Sequence, residues 1–415
     1  MKSISFVIVV LWLALCHPLS AIANELTLRS ALQKTLQGNP ELQQYPYKQR
    51  MAEAEKLQAS LRPNPEIGIE LENVIGSGRN AGVDNLEATL SFSQLIELGG
   101  KRQQRIEFAS AKQRRLEAEF TYAKVEVLAK TASRFYQVLL LQEVASWNQR
   151  QLQRLNNALN VARKRVDSGA VAASELIRIR LQQRKTEADI EEITGKLDEA
   201  RTQLSGMWAA EADFSSVQGA FADQLNLPSS AKLNTAVNQA PEFLRLADSE
   251  RLLAAKAQAL SSAATADVTL GVGVRYNNEF DDAGLVLKAS MPILRSNPNA
   301  GLMQSNRAEH DMLLALQQVV RERLRVRARA VLVRLKTHQT YLHRIQRSLL
   351  PLARQLEAET EAGYARGGYS LLQLLDAQNE LAQLEYEQIN RRYAIYQGIL
   401  ELEHLTGQSF LEATQ

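Results

Sequence analysis

Apolar side chains alternate with polar or small ones along residues 66–74 and again along 86–95. Ile67, Ile69 and Leu71 fall on one side, Gly68, Glu70 and Glu72 on the other; Leu86, Ala88, Leu90 and Phe92 oppose Glu87, Thr89, Ser91 and Ser93. A period of two is that of a strand, and the Gly-, Asn- and Asp-rich residues between these runs predict a turn. The pattern returns about two hundred residues later. Val268, Leu270, Val272, Val274 and Tyr276 alternate with polar and small residues, as do Leu285, Leu287, Ala289 and Met291, with a turn at 277–284 between them. Elsewhere the period is helical. Residues 27–61 predict a helix broken at Asn39-Pro40 and ended by Arg62-Pro63-Asn64-Pro65, because proline cannot continue a helix and disfavours helix in the residue before it. Residues 101–167 hold neither proline nor glycine and predict one helix of roughly 100 Å at 1.5 Å per residue. Leu152, Leu155, Leu159, Ala162 and Val166 carry the spacing of a coiled-coil seam. Gly169 marks a turn, Ser174 is the expected N-cap of a returning helix to about residue 204, and Glu175 sits in its first turn. In the second half the expected elements are a helix over 233–264 containing Pro241 and a long helix over 300–365, kinked at Pro351. A turn at Gly367-Gly368 and a return over 371–405 complete it.

The chain is therefore written twice. Asn39-Pro40-Glu41-Leu42 returns as Ala240-Pro241-Glu242-Phe243, residues 90–96 as 287–293, Gly169 as Gly367, and Ser205-Gly206 as Thr406-Gly407. Each copy reads helix, two strands, very long helix, long helix, a tandem structural repeat. The boundaries expected are a first repeat over 24–210, a connector over 211–230, a second repeat over 231–408 and a tail over 409–415. Nine to eleven alternating residues is the length of a tilted bilayer-crossing strand, although alternation alone does not say which solvent each face meets. Four strands cannot close a barrel, and open edges are not tolerated in lipid, so a membrane reading requires several copies. Two copies give a filled eight-stranded barrel and three give a twelve-stranded one with a bore. A soluble periplasmic coiled-coil or adaptor-like protein with a small sheet is the competing reading.

Composition narrows the class. The chain is rich in Ala, Leu, Gln, Glu and Arg, and poor in aromatics and proline, as a mostly helical protein is. Lys2 followed by an apolar run to Cys16, then Pro18 and Ala21-Ile22-Ala23, reads as a secretory signal over 1–23 with the mature start near Asn24. Lipidation at Cys16 is the rival. No apolar stretch is long enough for a transmembrane helix. A formal net charge of +3 excludes a strongly basic nucleic-acid binder. Arg321, Arg323, Arg325, Arg327 and Arg329, two apart, spread around a helix instead of forming a stripe. There is no paired-His motif, phosphate loop or nucleophile elbow, and His338 and His343 are poorly spaced for shared ligation. No catalytic, cofactor or metal site is expected, and no enzyme.

With Asn39-Pro40-Glu41-Leu42, Arg62-Pro63-Asn64-Pro65-Glu66, Glu72-Asn73 and the run from Ser93 to Arg102 (Ser-Gln-Leu-Ile-Glu-Leu-Gly-Gly-Lys-Arg), the chain resembles the TolC-like outer-membrane efflux proteins, most nearly their heavy-metal RND (CzcC-like) branch. The resemblance implies a mainly α protomer with a transmembrane β part. It is one third of a trimeric α-helical barrel capped by a twelve-stranded outer-membrane β-barrel, with a long periplasmic extension. It implies a passive conduit for heavy-metal cations that docks onto a periplasmic adaptor (membrane fusion protein) and an inner-membrane pump; drugs or type I secretion cargo are the alternative load. By position, Gly169, Ala170, Val171, Ser174, Gly367, Gly368, Ser370 and Leu374 correspond to the adaptor-docking tips, and Asp376 and Glu175 to the periplasmic aperture. Symmetry would repeat those carboxylates as a cation-attracting ring. Gln373 stands where the family pattern carries a second acid.

Overall fold

The computed structural model describes residues 25–410 apart from Gln224. The signal over 1–23, the mature start at Asn24, Cys16 and the end of the tail lie outside the described residues. In chain order the elements are β1 (Glu25–Thr27), α1 (Leu28–Gly38), α2 (Pro40–Gln43), α3 (Tyr45–Ser60), β2 (Glu66–Glu72), β3 (Glu87–Ile96), α4 (Lys101–Asp167) and α5 (Ser174–Ser205). After these come β4 (Ser216–Gln218), α6 (Ser230–Val237), α7 (Pro241–Ser262), β5 (Val268–Asn277), β6 (Asp282–Ser290), α8 (Ala300–Arg344), α9 (Leu350–Arg366) and α10 (Leu371–Thr406). The expected order helix, two strands, long helix, long helix appears in both halves, and α4 is unbroken as its lack of glycine and proline predicted. Two compact units each draw on both repeats. One comprises residues 25–39, 128–225 and 335–400, the other 40–127, 226–334 and 401–410.

The second unit holds a four-stranded antiparallel sheet in the order β2-β3-β5-β6. Its register runs in rows. Ile67 faces Phe92, Phe92 faces Val272 and Val272 faces Leu287; the next row is Ile69, Leu90, Val274 and Leu285. Every large apolar residue of these rows is exposed, from 44 % at Val272 to 77 % at Leu287. On the other face Arg275 spans two carboxylates, Glu72 at 2.9 Å and Glu87 at 2.9 Å, and donates from Nε to Thr89 Oγ1 at 3.0 Å. Among the described residues no helix covers the apolar side. β2 is shorter than expected, because Asn73 turns to a left-handed φ of 58° and leaves the ladder. Among the described residues the outer edges of β2 and β6 have no partner strand. Helices pack beside the sheet: Tyr45 stacks on Phe120, Lys256 pairs with Glu309 at 2.9 Å, and Asn306 Nδ2 donates to the carbonyl of Leu253 at 3.1 Å. The arginine run on α8 lies on a solvated surface, with Arg323, Arg327 and Arg329 exposed, and is partly paired there: Arg325 holds Glu322 at 2.7 Å, Arg327 holds Glu401 at 2.9 Å, Arg323 bonds Glu242, and Arg321 covers the ring of Phe243.

The first unit contains what the sequence reading missed. Residues 211–225 are not a loose connector. β4 pairs in parallel with β1, and Phe214, Val217 and Phe221 are buried. Phe221 and Tyr396 rings lie 5.1 Å apart, Tyr136 and Tyr396 4.8 Å. Strands of three residues carry no periodic signal. Two helix breaks also differ from expectation. The helix expected over 233–264 is two, parted at 238–240 ahead of Pro241. The kink expected at Pro351 is a π-helical turn, Ile345–Leu349, just before it. Proline there lacks the N–H that would bond the carbonyl of Arg347 and its ring clashes with that carbonyl; the wider turn absorbs both.

Candidate functional site at the hairpin tips

The α4–α5 and α9–α10 hairpins both turn on a left-handed glycine, Gly169 with φ 75° and Gly367 with φ 85°. After α9 the amide of Gly368 donates to the carbonyl of Gly363 at 2.9 Å and that of Gly367 to Tyr364 at 3.0 Å, which satisfies the last helical carbonyls. The amide of Ala170 does the same for Arg165 at 2.9 Å. Gly363 is needed for another reason: a Cβ there would lie 2.0 Å from Cδ2 of Tyr369, whose ring folds back over the helix end.

Both tips share one small core. Ala158 and Ala162 of α4, Ile179 of α5, Tyr364 of α9, and Leu371 and Leu374 of α10 are buried together. Leu374 is therefore not a docking side chain: it is 1 % exposed and holds the tip from inside. Ser174 is also not the N-cap of α5. The chain enters the helix at Ala173 with α-region angles, and no side chain caps it. The cap is on the other hairpin, where Ser370 Oγ accepts from the amide of Gln373 at 3.3 Å and Gln373 Oε1 accepts from the amide of Ser370 at 2.9 Å. This is a reciprocal capping box. It gives Gln373 a structural task.

The two carboxylates differ. Asp376 is exposed on the face of α10 that also carries the exposed Leu372, opposite the buried Leu374 and Ala377. Glu175 is half-buried and accepts from the hydroxyl of Tyr364 at 2.7 Å. Tyr364, 1 % exposed, is held in turn by Arg165, whose guanidinium lies 4.4 Å from the ring centroid and donates to the Tyr364 carbonyl at 2.8 Å. Arg165, Tyr364 and Glu175 thus fasten the first hairpin to the second. Sequence reasoning passed over Arg165 and Tyr364 as a contact. The signal was available: Arg165 stands four residues ahead of Gly169 and Tyr364 three ahead of Gly367, and one is a cation, the other an aromatic.

Burial first and the Glu175 hydrogen bond second push the Tyr364 phenol well above its ordinary value near 10. A raised acid in the folded state favours the protonated form, so its contribution is complete below about pH 10 and falls as pH rises beyond it. Hydrogen exchange at the tips of the wild-type chain is therefore expected to accelerate above about pH 10 beyond the intrinsic rate. In Tyr364→Phe that additional alkaline acceleration should vanish, while the tip is looser at every pH. An unchanged alkaline profile in the variant would exclude Tyr364 as its source.

Among the described residues no helix is long and apolar enough to cross a membrane, and no group of three or more His, Cys, Asp or Glu is placed to hold a metal ion. His338 instead lies with Nδ1 3.0 Å from Arg391.

Residues 31–210 match the family model described as outer membrane efflux protein. Over 396 residues, 93 % of this chain and 91 % of the relative, the sequence is 24 % identical to the cobalt-zinc-cadmium resistance protein CzcC of Cupriavidus metallidurans. It is 28 % identical over 259 residues, 60 % of each chain, to the nickel and cobalt resistance protein CnrC of the same organism. Among solved structures, CusC superposes with a TM-score of 0.75 at 17 % identity over 92 % of both chains. The outer membrane protein VceC of Vibrio cholerae gives 0.72 at 16 % identity over 92 % of this chain and 96 % of its own. The fold and the matched sequence agree: the chain is similar to outer membrane efflux proteins over residues 31–210 and shares the fold of CusC and VceC.

Proposed function

We propose that this protein is the outer-membrane channel of a tripartite RND-type efflux system and a passive conduit for heavy-metal cations. It works as a homotrimer whose hairpin tips dock a periplasmic adaptor coupled to an inner-membrane pump. The observation that carries the membrane part is the sheet: one face apolar and exposed along its two middle rows, the other largely polar and charged, and both outer edges unpaired among the described residues. Each buried Leu, Ile, Val or Phe is worth about 1.5–3 kcal/mol relative to water, and lipid supplies that burial. The repeat says how the edges are satisfied. Within the chain the second strand of repeat one, β3, pairs with the first strand of repeat two, β5. On this reading the same operation, continued, pairs β6 of one copy with β2 of the next, a heterologous contact of the kind that builds rings. Met312, Val319 and Val326 on α8 and Tyr47 and Met51 on α3, the helices next in sequence to β6 and β2, are exposed apolar residues as well.

The metal assignment draws on the resistance named for CzcC and CnrC. Deleting the gene is expected to sensitise cells to zinc, cobalt, cadmium, copper or silver, and not to a drug panel. Lost drug tolerance with intact metal tolerance would replace metals by drugs as the cargo.

At the tips, Gly169, Ala170, Val171, Ser174, Gly367, Gly368 and Ser370 form the docking surface, Asp376 faces the aperture, and Glu175 acts from behind as part of the inter-hairpin fastening. In reconstituted trimers Asp376→Ala is expected to lower cation preference by up to about fivefold, the worth of ~1 kcal/mol of Coulomb energy near water. Gln373→Glu should raise it, because glutamate preserves the capping box while adding a carboxylate. Equal selectivity in all three proteins would remove Asp376 from the aperture.

A further inference from the structure

The polar face of the sheet is not evenly charged. Register places Glu70 in one row with Arg275, and Glu72, Glu87 and Asp282 together in the next. These two rows lie at the end of the sheet where β2 turns to β3 and β5 to β6, and they carry four carboxylates against one basic side chain. Glu72 and Glu87 are the sharpest case. They are direct partners across the β2–β3 ladder, and like charges placed opposite each other, with Cβ atoms about 4.5–5.5 Å apart, destabilise a sheet. Arg275 reaches both from β5. Its Nη2 lies 2.9 Å from Glu72 and its Nη1 2.9 Å from Glu87, while Nε donates to Thr89 Oγ1 at 3.0 Å. All three guanidinium nitrogens are committed, so the fork cannot swing elsewhere without losing a contact. The other Glu87 oxygen accepts from Asn277 Nδ2 at 3.0 Å.

We propose that Arg275 is the resident cation of this wall: it fills the place that a divalent ion would take between Glu72 and Glu87, and so keeps the acidic end of the polar face from holding the cargo. The assignment rests on the reading of this face as the lining of a cation conduit. Carboxylate oxygens ligate divalent cations at about 2.0–2.6 Å, and Glu72 and Glu87, with Asp282 in the same row, supply such oxygens. A tight site there would be a trap, because conduction requires binding weak enough for the ion to leave. A fixed arginine meets both demands. It neutralises the opposed pair, as the sheet requires, and it cannot be exchanged for a passing ion, as transport requires. The two rows remain net negative, so cations are still drawn to that end of the sheet. Lysine would serve less well, because its ammonium is a single point of charge and lacks the planar fork that meets three acceptors at once.

Manganese(II) alone, read by electron paramagnetic resonance as bound against free ion, tests this on the purified full-length protein at fixed ionic strength and without transport. Arg275→Gln is expected to bind the ion about tenfold more tightly than the wild type, the worth of ~1.4 kcal/mol. Arg275→Gln combined with Glu87→Gln should fall back to the wild-type level, and Arg275→Lys, which keeps a cation in place, should stay near it. Without metal, Arg275→Gln should also yield less heat-resistant oligomer, and manganese should restore it; a merely structural ion pair would show the loss without the recovery. Binding by Arg275→Gln no tighter than by the wild type, or oligomer lost and not restored by manganese, would overturn the resident cation. Absent cation conduction by the wild type, with the expected manganese binding in the variants, would reject the conduit reading and keep Arg275 as the cation between Glu72 and Glu87.

Discussion

Replacing Val272 by arginine is expected to abolish assembly of the protein in the outer membrane. Val272 lies in the middle of β5, in the row Ile67, Phe92, Val272, Leu287, and it is 44 % exposed in the single chain. If that face meets water, an arginine there costs little, since surface substitutions usually stay within about 0.5 kcal/mol. If it meets lipid near the bilayer midplane, the same change costs about 2–4 kcal/mol per copy, and a ring of copies pays it at every position. Heat-resistant oligomer in outer-membrane fractions measures the outcome. A control at the neighbouring residue on the opposite face, Gly271→Ser, points toward the polar side and should leave assembly intact. Normal oligomer from Val272→Arg would mean that the apolar face is not against lipid.

The second large effect is expected from Gly363→Ala. A methyl group there would stand 2.0 Å from Cδ2 and 2.6 Å from Cε2 of Tyr369, well inside contact distance. The Tyr369 amide donates to the Gly363 carbonyl at 3.3 Å and keeps its backbone at the helix end, so the ring clears the methyl only by leaving its rotamer and its place over the helix. Overpacking of this kind costs about 1–3 kcal/mol, and here it falls on the turn that places Gly367, Gly368 and Ser370. Faster hydrogen exchange of residues 363–374 and loss of adaptor capture by the purified chain are the expected readouts. Tyr369→Ala in the same chain removes the clash, so the double variant should recover most of the tip's protection, a non-additivity that neighbours in contact produce. Additive losses would show that Gly363 matters for some reason other than Tyr369.

How much of this was legible beforehand follows from the range of each signal. The alternation of β2, β3, β5 and β6 and the Gly- and Pro-free span of α4 are long periodic patterns, and they placed those elements within a few residues. The short strands β1 and β4 are invisible because their pairing is decided by residues 25–27 and 216–218 meeting across the fold. Pro351 announced a disturbance, but only the backbone shows that it is spread as a wider turn ahead of the proline. At the tips, the glycines were readable because a left-handed turn demands them. The buried state of Leu374 and the engagement of Glu175 were not, because both depend on α4, α5, α9 and α10 meeting in one core. Gln373 was read as a missing acid; its role in the capping box with Ser370 is a local motif that the sequence does contain.

The central claim is that each chain contributes four strands to a closed wall through a β6-to-β2 contact between copies. Antiparallel neighbours stand about 4.5–5.5 Å apart at Cα, within the span of a disulfide. Cysteine pairs scanned between positions 67, 69 and 71 on β2 and 285, 287 and 289 on β6 test the contact directly. Under oxidation in outer membranes, some pair is expected to yield a covalent ladder ending at the trimer, with neither single variant crosslinking. Efficient crosslinking by the single variants, or no ladder from any pair, would contradict it.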